Sequence, residues 1–187
     1  MRHPTAKTQL FFQEMGQIVG SSHLAVLILT DENCRQAVNI ICDRAMAQQM
    51  TIRTKGQPAR EMLLPEVLLQ MLMHQGYLAT DFELLVYDIQ DGQYRAELTC
   101  LPTGHSVPIR ASDAVLLSAI SDIPLFIDHM LFLRQSSPYV PASSSMVLPI
   151  NSINTEQLSQ ALQQAVNEEN YRLAAMLQQE INKRTKS

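Results

Sequence analysis

The chain has 187 residues, of which 46% are hydrophobic, and a formal net charge of −4. This length and apolar content allow one sizeable domain with a core, plus a small appendage. The negative charge argues against bulk electrostatic coating of nucleic acid, which needs clustered Lys and Arg. No apolar run approaches the roughly 20 residues needed to span a bilayer. The polar N-terminus lacks the apolar segment of a secretory signal, so we expect a cytoplasmic protein without membrane contact.

Strands come first along the chain and helices follow. Apolar runs bounded by turn residues predict strands at 8–18, 24–30 and 36–42. The short connection between the second and third of these indicates a hairpin. Helical spacing then predicts helices at 43–53 and 62–76. Asp43 is the expected N-cap of the first helix, and Gly76 is the expected stop of the second.

An Asp91-Gly92 dipeptide separates two alternating runs, 82–90 and 93–101. This pattern predicts a type I′ hairpin, because both central residues of that turn need positive φ. A third strand at 105–110 completes an antiparallel meander. Together with the preceding helices, these strands predict an α+β fold, with helices packed on a mixed or antiparallel sheet.

The third strand of the meander leads directly into a helix. Ser112 is the expected helix cap, and Asp113 lies in the first turn, where the helix dipole favours a negative charge. Arg110 therefore meets a carboxylate at the junction between strand and helix. The apolar run 114–120 anchors this junction in the core. One interpretation of the pair is a functional site, and the other is a salt bridge or cap that fixes the turn.

After a short helix at 128–134, the composition changes twice. Residues 135–153 are rich in Ser and Pro and lack periodicity, which predicts a linker. Residues 154–187 carry two amphipathic stripes that an Asn-Glu-Glu-Asn sequence interrupts, which predicts a helical hairpin. We therefore expect a domain at 1–134, the linker, and the hairpin.

A two-helix hairpin of this size buries too little apolar surface to be stable alone, so we expect it to pack on a partner or a second copy. The predicted partner-binding face consists of Leu158, Leu162, Tyr171, Ala174 and Leu177.

The sequence Arg110-Ala111-Ser112-Asp113-Ala114, followed by an aliphatic helix and by Ile123-Pro124-Leu125-Phe126-Ile127, resembles the signature of the bifunctional nuclease family. The order of elements from about residue 24 to residue 133 fits that family too. The resemblance implies hydrolysis of phosphodiester bonds in DNA or RNA. It also implies that Asp113 and Glu66 hold Mg²⁺ or Mn²⁺ or activate water, and that Arg110 contacts phosphate.

Two other motifs of that family are altered here. Met46 stands where the family has a glutamate, and Pro65 stands where it has a histidine. Two candidate ligands or bases are therefore missing, and Asp43 is a candidate replacement carboxylate. The alternative function is a binding or scaffold module of the same fold that has lost its chemistry and acts through its tail and a domain dimer.

The tail sequence, with Glu168-x-x-Tyr171-x-x-Ala174-Ala175 at its turn, resembles the UVR motif of bacterial excision-repair proteins. This resemblance implies protein docking rather than catalysis, with a homo-oligomer as a further expectation. The three cysteines Cys34, Cys42 and Cys100 are widely spaced, so neither a disulfide framework nor a zinc site is expected.

Overall fold

The computed structural model describes residues 6–18, 24–54, 62–139, 141, 155–167 and 171–185. The described strands are β1 (Lys7–Gln17), β2 (Leu24–Thr30), β3 (Gln36–Asp43), β4 (Phe82–Gln90), β5 (Gln93–Cys100), β6 (His105–Arg110), β7 (Leu125–Asp128) and β8 (Ser137–Pro138). The described helices are α1 (Arg44–Thr54), α2 (Leu64–His74), α3 (Ala111–Ile120), α4 (His129–Gln135), α5 (Thr155–Asn167) and α6 (Tyr171–Thr185). No helix in these ranges is long and apolar enough to cross a membrane.

The strands form one sheet in the order β6-β5-β4-β7-β1-β2-β3-β8. Neighbours pair antiparallel, except that β4 and β7 run parallel. The predicted α+β class with a mixed sheet is therefore confirmed.

This sheet is strongly curled. The strands β6 and β3 lie six steps apart in the sheet order, which in a flat sheet would separate them by about 29 Å. Their C-terminal ends nevertheless lie close together. Arg110 Nη1 at the end of β6 is 3.4 Å from Asp43 Oδ2 at the end of β3. The long strand β1 allows this, since it pairs with β7 at one end and with β2 along the rest, and a bulge lies between Phe12 and Glu14.

The core fills the inside of the curl. Met50 of α1 and Val115 of α3 pack in one cluster with inward residues of the strands, such as Leu27, Leu84 and Ile127. These five side chains are at most 1% exposed. The two helices that follow β3 and β6 are thus anchored in the same core, which holds the two strand ends close together.

Several local predictions are confirmed. The Asp43 carboxylate accepts the Met46 N–H at 2.7 Å, so Asp43 is the N-cap of α1. Asp91 and Gly92 have φ values of 51° and 75°, as a type I′ turn requires. β2 has the predicted bounds, 24–30, and pairs with β3 as a hairpin.

The structure differs from prediction where the linker was expected to begin. Ser137 and Pro138 form β8, which pairs with Ala37 and Gln36 of β3. Tyr139 packs against Val26, Ile28 and Ala37 of the sheet. The chain therefore stays packed on the sheet as far as residue 139. The reason is that the edge of β3 offers backbone hydrogen bonds, which amino-acid composition does not reveal. The rest of the predicted linker, apart from residue 141, lies outside the described residues.

The tail forms the predicted hairpin. Its helices α5 and α6 bury Leu158 and Ala165 against Ala174 and Leu177. Ile41 of β3 packs on the same cluster. The Asn-Glu-Glu-Asn sequence between the helices lies, except for its first residue, outside the described residues.

We predict that Gly92→Ala lowers the free energy of unfolding by about 1 kcal/mol, because a Cβ strains the positive φ of the turn. Urea denaturation monitored by circular dichroism measures the change. Asp91→Asn is the matched control, since Asn tolerates positive φ and should leave the midpoint unchanged. Equal effects of both substitutions would contradict the assignment of the strain to residue 92.

Candidate functional site

The curl of the sheet creates a cleft between the ends of β3 and β6. It has a volume of about 210 Å³. Its walls come from the end of β3, from the β4–β5 turn and from the start of α3; the lining residues are Ile40, Ile41, Cys42, Asp43, Gly92, Gln93, Tyr94, Arg110, Ala111 and Ser112.

Arg110 joins two carboxylates at this cleft. Its Nε donates to Asp113 Oδ2 at 2.5 Å, and its Nη2 donates to Asp113 Oδ1 at 3.0 Å. Its Nη1 donates to Asp43 Oδ2 at 3.4 Å. The hydrogen bond to Asp113 and the negative charges of both carboxylates raise the pKa of Arg110. The guanidinium therefore stays charged, and the three bonds use three of its five N–H donors.

The three charged groups leave a net negative charge at the cleft. One guanidinium and two carboxylates sum to −1 at neutral pH. The Arg110 side chain is 64% exposed, and those of Asp43 and Asp113 are 53% and 29% exposed. The group is therefore accessible to solvent, and its charge favours a cation over a bare anion.

Ser112 does not cap α3, contrary to the prediction. The helix begins at Ala111, and its N-cap is Arg110, with extended φ and ψ of −66° and 140° and no side-chain cap bond. β6 runs into the helix without an intervening residue, so Ser112 is already the second helical residue. It is buried and lines the cleft.

Asp43 has two roles that the sequence indicated only separately. Its Oδ1 caps α1, while its Oδ2 faces Arg110. The cap fixes the side chain at the end of β3, and the curl of the sheet brings it to β6. Cap chemistry was visible in the sequence, but the contact with Arg110 depends on the tertiary fold.

Glu66 is held elsewhere. Both its carboxylate oxygens accept hydrogen bonds from Arg53 of α1, from Nε at 2.7 Å and from Nη2 at 2.6 Å. The two side chains are 14% and 7% exposed. Glu66 does not line the cleft, so the structure does not bring together the predicted pair of Asp113 and Glu66. It joins α2 to α1 instead.

Two further groups in the cleft are held neutral by burial. Burial, with a smaller effect from the charge of Asp43, raises the pKa of Cys42 to about 12. Burial also raises the pKa of Tyr94. Both groups therefore stay protonated at neutral pH, which makes Cys42 a poor nucleophile.

The described residues contain no group of three or more His, Cys, Asp or Glu side chains that could hold a metal ion. Asp43 is the carboxylate that lines the cleft, and Asp113 lies beside the cleft through its hydrogen bonds to Arg110. Among the histidines, His129 Nδ1 lies 2.9 Å from Thr8 Oγ1.

Residues 27–139 match the family model described as the bifunctional nuclease domain. The match spans more than half of the chain and includes every residue that lines the cleft. No curated protein matches the chain.

We predict that Glu66→Ala lowers the free energy of unfolding by about 2 kcal/mol, because it removes the ion-pair partner of the part-buried Arg53, which keeps only its hydrogen bonds to Gln49. Asp113→Ala should lower the free energy of unfolding by at most about 1 kcal/mol, because the ion pair of Asp113 with Arg110 is open to solvent. Urea denaturation of both variants gives the comparison. A smaller loss for Glu66→Ala than for Asp113→Ala would refute the structural role of Glu66.

We predict that iodoacetamide at about pH 8 alkylates the exposed Cys34 and leaves Cys42 unmodified, because only the thiolate reacts. Mass spectrometry of proteolytic fragments reports both positions. The same reaction in concentrated urea is the control, and there both residues should be modified. Rapid labelling of Cys42 in the folded protein would contradict its burial.

Proposed function

The chain belongs to the bifunctional nuclease domain family, and on that premise we propose that the cleft between the ends of β3 and β6 binds DNA or RNA and hydrolyses its phosphodiester bonds. The observation that supports this most is the arrangement of Arg110 between Asp113 and Asp43. It combines a permanent cation, two carboxylates and an opening to solvent in one place.

Arg110 is the group that contacts phosphate in this proposal. Bidentate Asp113 holds the guanidinium in one orientation, and two N–H donors remain for an anionic oxygen. Positive charge at this point stabilises the negative charge that develops on phosphate during hydrolysis. Since the N-terminus of α3 begins beside Arg110, its backbone dipole acts in the same direction.

The carboxylates suit a Mg²⁺ or Mn²⁺ ion that keeps several waters. Such an ion is held by one or two carboxylates plus substrate phosphates rather than by a full protein cage. Asp43 and Asp113 would hold it, with Arg110 beside them. Bound there, it would supply positive charge and activate water for attack on phosphorus. Cys42 and Tyr94 stay neutral. The net charge of the site therefore comes from Asp43, Asp113 and Arg110.

A second candidate function is a binding or scaffold module that has lost its chemistry. Its support is that Glu66, one of the expected carboxylates, is held by Arg53, and that Met46 and Pro65 stand at two other motif positions. In this proposal the tail is a UVR-type hairpin that binds a protein partner. Its amphipathic helices α5 and α6 support that assignment.

We predict that purified protein cleaves single-stranded or double-stranded DNA or RNA with Mg²⁺ or Mn²⁺, and that EDTA abolishes cleavage. Asp113→Ala should lower the rate at least about 100-fold, because it removes both a carboxylate and the anchor of Arg110. Asp122→Ala, an exposed aspartate outside the cleft, is the matched control and should cleave like the parent. Gel assays with labelled oligonucleotides measure all three proteins.

Cleavage that Asp113→Ala retains would place the activity in another site or in a contaminant. Absence of cleavage by every preparation would favour the binding module.

A further inference from the structure

The cleft lies against the open edge of β3. Four consecutive residues of that strand, 40–43, line it, and none of β2 does. Side chains of β3 alternate between the core, where Ile40 lies, and the outer face of the sheet, where Ile41 packs on the hairpin. Only the strand edge passes all four residues, so the backbone itself borders the cleft. In the described part of the chain this edge pairs with a strand only at Gln36 and Ala37, which leaves the outward N–H and C=O groups of 40–43 without a neighbouring strand.

The cleft is charged at its mouth and neutral inside. The side chains of Arg110 and Asp43 are 64% and 53% exposed. Ile40 and Cys42, by contrast, are 2% and 4% exposed. Burial keeps the thiol of Cys42 and the hydroxyl of Tyr94 protonated at neutral pH, since it raises the pKa of both groups. An uncharged ligand group therefore fits the interior, whereas an anionic group fits only the mouth.

Two hydroxyl groups of the cleft have no partner in the described part of the chain. Tyr94 and Ser112 are each 9% exposed, and both line the cleft. Neither hydroxyl makes a hydrogen bond to another described residue. Both still meet water, because Asn39 Oδ1 is the only fully buried side-chain N or O atom of those residues that lacks a partner. A ligand that replaces this water can form a hydrogen bond with each hydroxyl.

The size of the cleft limits what can enter it. Its volume is about 210 Å³, which corresponds to about seven water molecules at about 30 Å³ each. Pockets for drug-sized ligands are larger, at roughly 300–1,000 Å³. The planar ring system of one nucleobase fits this volume, and the attached sugar and phosphate must stay outside. An added peptide strand would instead use the open edge from residue 38 onward, whereas the cleft meets only its last four residues.

We propose that the cleft is a pocket for one unpaired nucleobase, which Tyr94, Ser112 and the open edge of β3 bind by hydrogen bonds while Arg110 contacts the adjoining phosphate. This inference rests on the proposed function, because its ligand is DNA or RNA, and it adds that the substrate is single-stranded or locally unpaired. Hydroxyl and backbone groups supply both donors and acceptors, so the pocket suits the polar edge of a base. In a duplex the complementary base occupies that edge, and extrusion of a base costs free energy.

The test measures binding separately from cleavage. Fluorescence anisotropy of the full-length protein, with Ca²⁺ in place of Mg²⁺, compares a labelled single strand, the same strand with stable abasic sites at every position, and the same strand in a duplex. Gels of the samples confirm that the strands stay intact. We expect the single strand to bind at least about tenfold more tightly than either of the others. Equal affinity for the abasic strand would overturn the proposal, because contacts with the nucleic-acid backbone would then account for binding.

Two conservative substitutions remove the hydroxyl groups of the pocket. The double variant Tyr94→Phe with Ser112→Ala should lower the preference for the base-containing strand over the abasic strand about tenfold, because hydrogen bonds to the base are lost. Tyr77→Phe with Ser118→Ala is the matched control, since it removes one phenol and one helical hydroxyl outside the cleft. The control should keep the preference of the parent. An unchanged preference in the first variant, or an equal loss in the control, would overturn the proposal.

Cleavage of the same strands with Mg²⁺ or Mn²⁺ separates this inference from the proposed function. A preference for bases without cleavage by any preparation would retain the base pocket and reject the nuclease. Metal-dependent cleavage that Asp113→Ala loses, together with equal binding of the abasic strand, would retain the nuclease and reject the base pocket. Absence of binding to all three strands would overturn both.

Discussion

The curl of the sheet is the constraint on which the rest of the structure depends. It brings the end of β3 to the end of β6, although six strand steps separate them. The contact between Arg110 and Asp43 is a result of this curl, since an ion pair so exposed contributes little to stability. The cause is the core, in which Met50 of α1 and Val115 of α3 pack beneath the same sheet. Packing of the apolar core therefore brings the charged groups of the cleft together at the edge of the core.

Two arginine–carboxylate pairs with the same chemistry serve different purposes. Arg53 and Glu66 form a part-buried, bidentate pair that joins two helices. Arg110 and Asp113 are also bidentate, but they are open to solvent beside a cleft. Partial burial makes the loss of one member of the first pair costly, because the remaining charge has limited access to water. Exposure leaves the second pair available to a ligand, and this difference supports placing the proposed chemistry at Arg110.

The outer face of β2 and β3 connects the tail to the domain. The family match ends at residue 139, where Tyr139 completes the outer cluster of the sheet. The α5–α6 hairpin contacts Ile41 of that same sheet. The single strand β3 thus has the cleft at its C-terminal end and a contact with the tail at Ile41.

Local features were determined by the sequence alone, because their causes lie within a few residues. Apolar runs and alternation predicted β1 to β6 but not the short strands β7 and β8. Asp91-Gly92 predicted the turn with two positive φ values, and Asp43 predicted the start of α1. The Arg110–Asp113 pair was also predictable, since its members are three positions apart across one junction. The Ser112 cap was a wrong local prediction, because the helix starts directly from the strand.

Only the tertiary structure decided which of these parts meet. It assigned Glu66 to Arg53 and brought Asp43 to Arg110, since sheet curvature and helix packing set distances between residues far apart in sequence. It likewise turned the apolar stripe of the tail toward Ile41, whereas periodicity shows only that a helix has an apolar face and not what covers it.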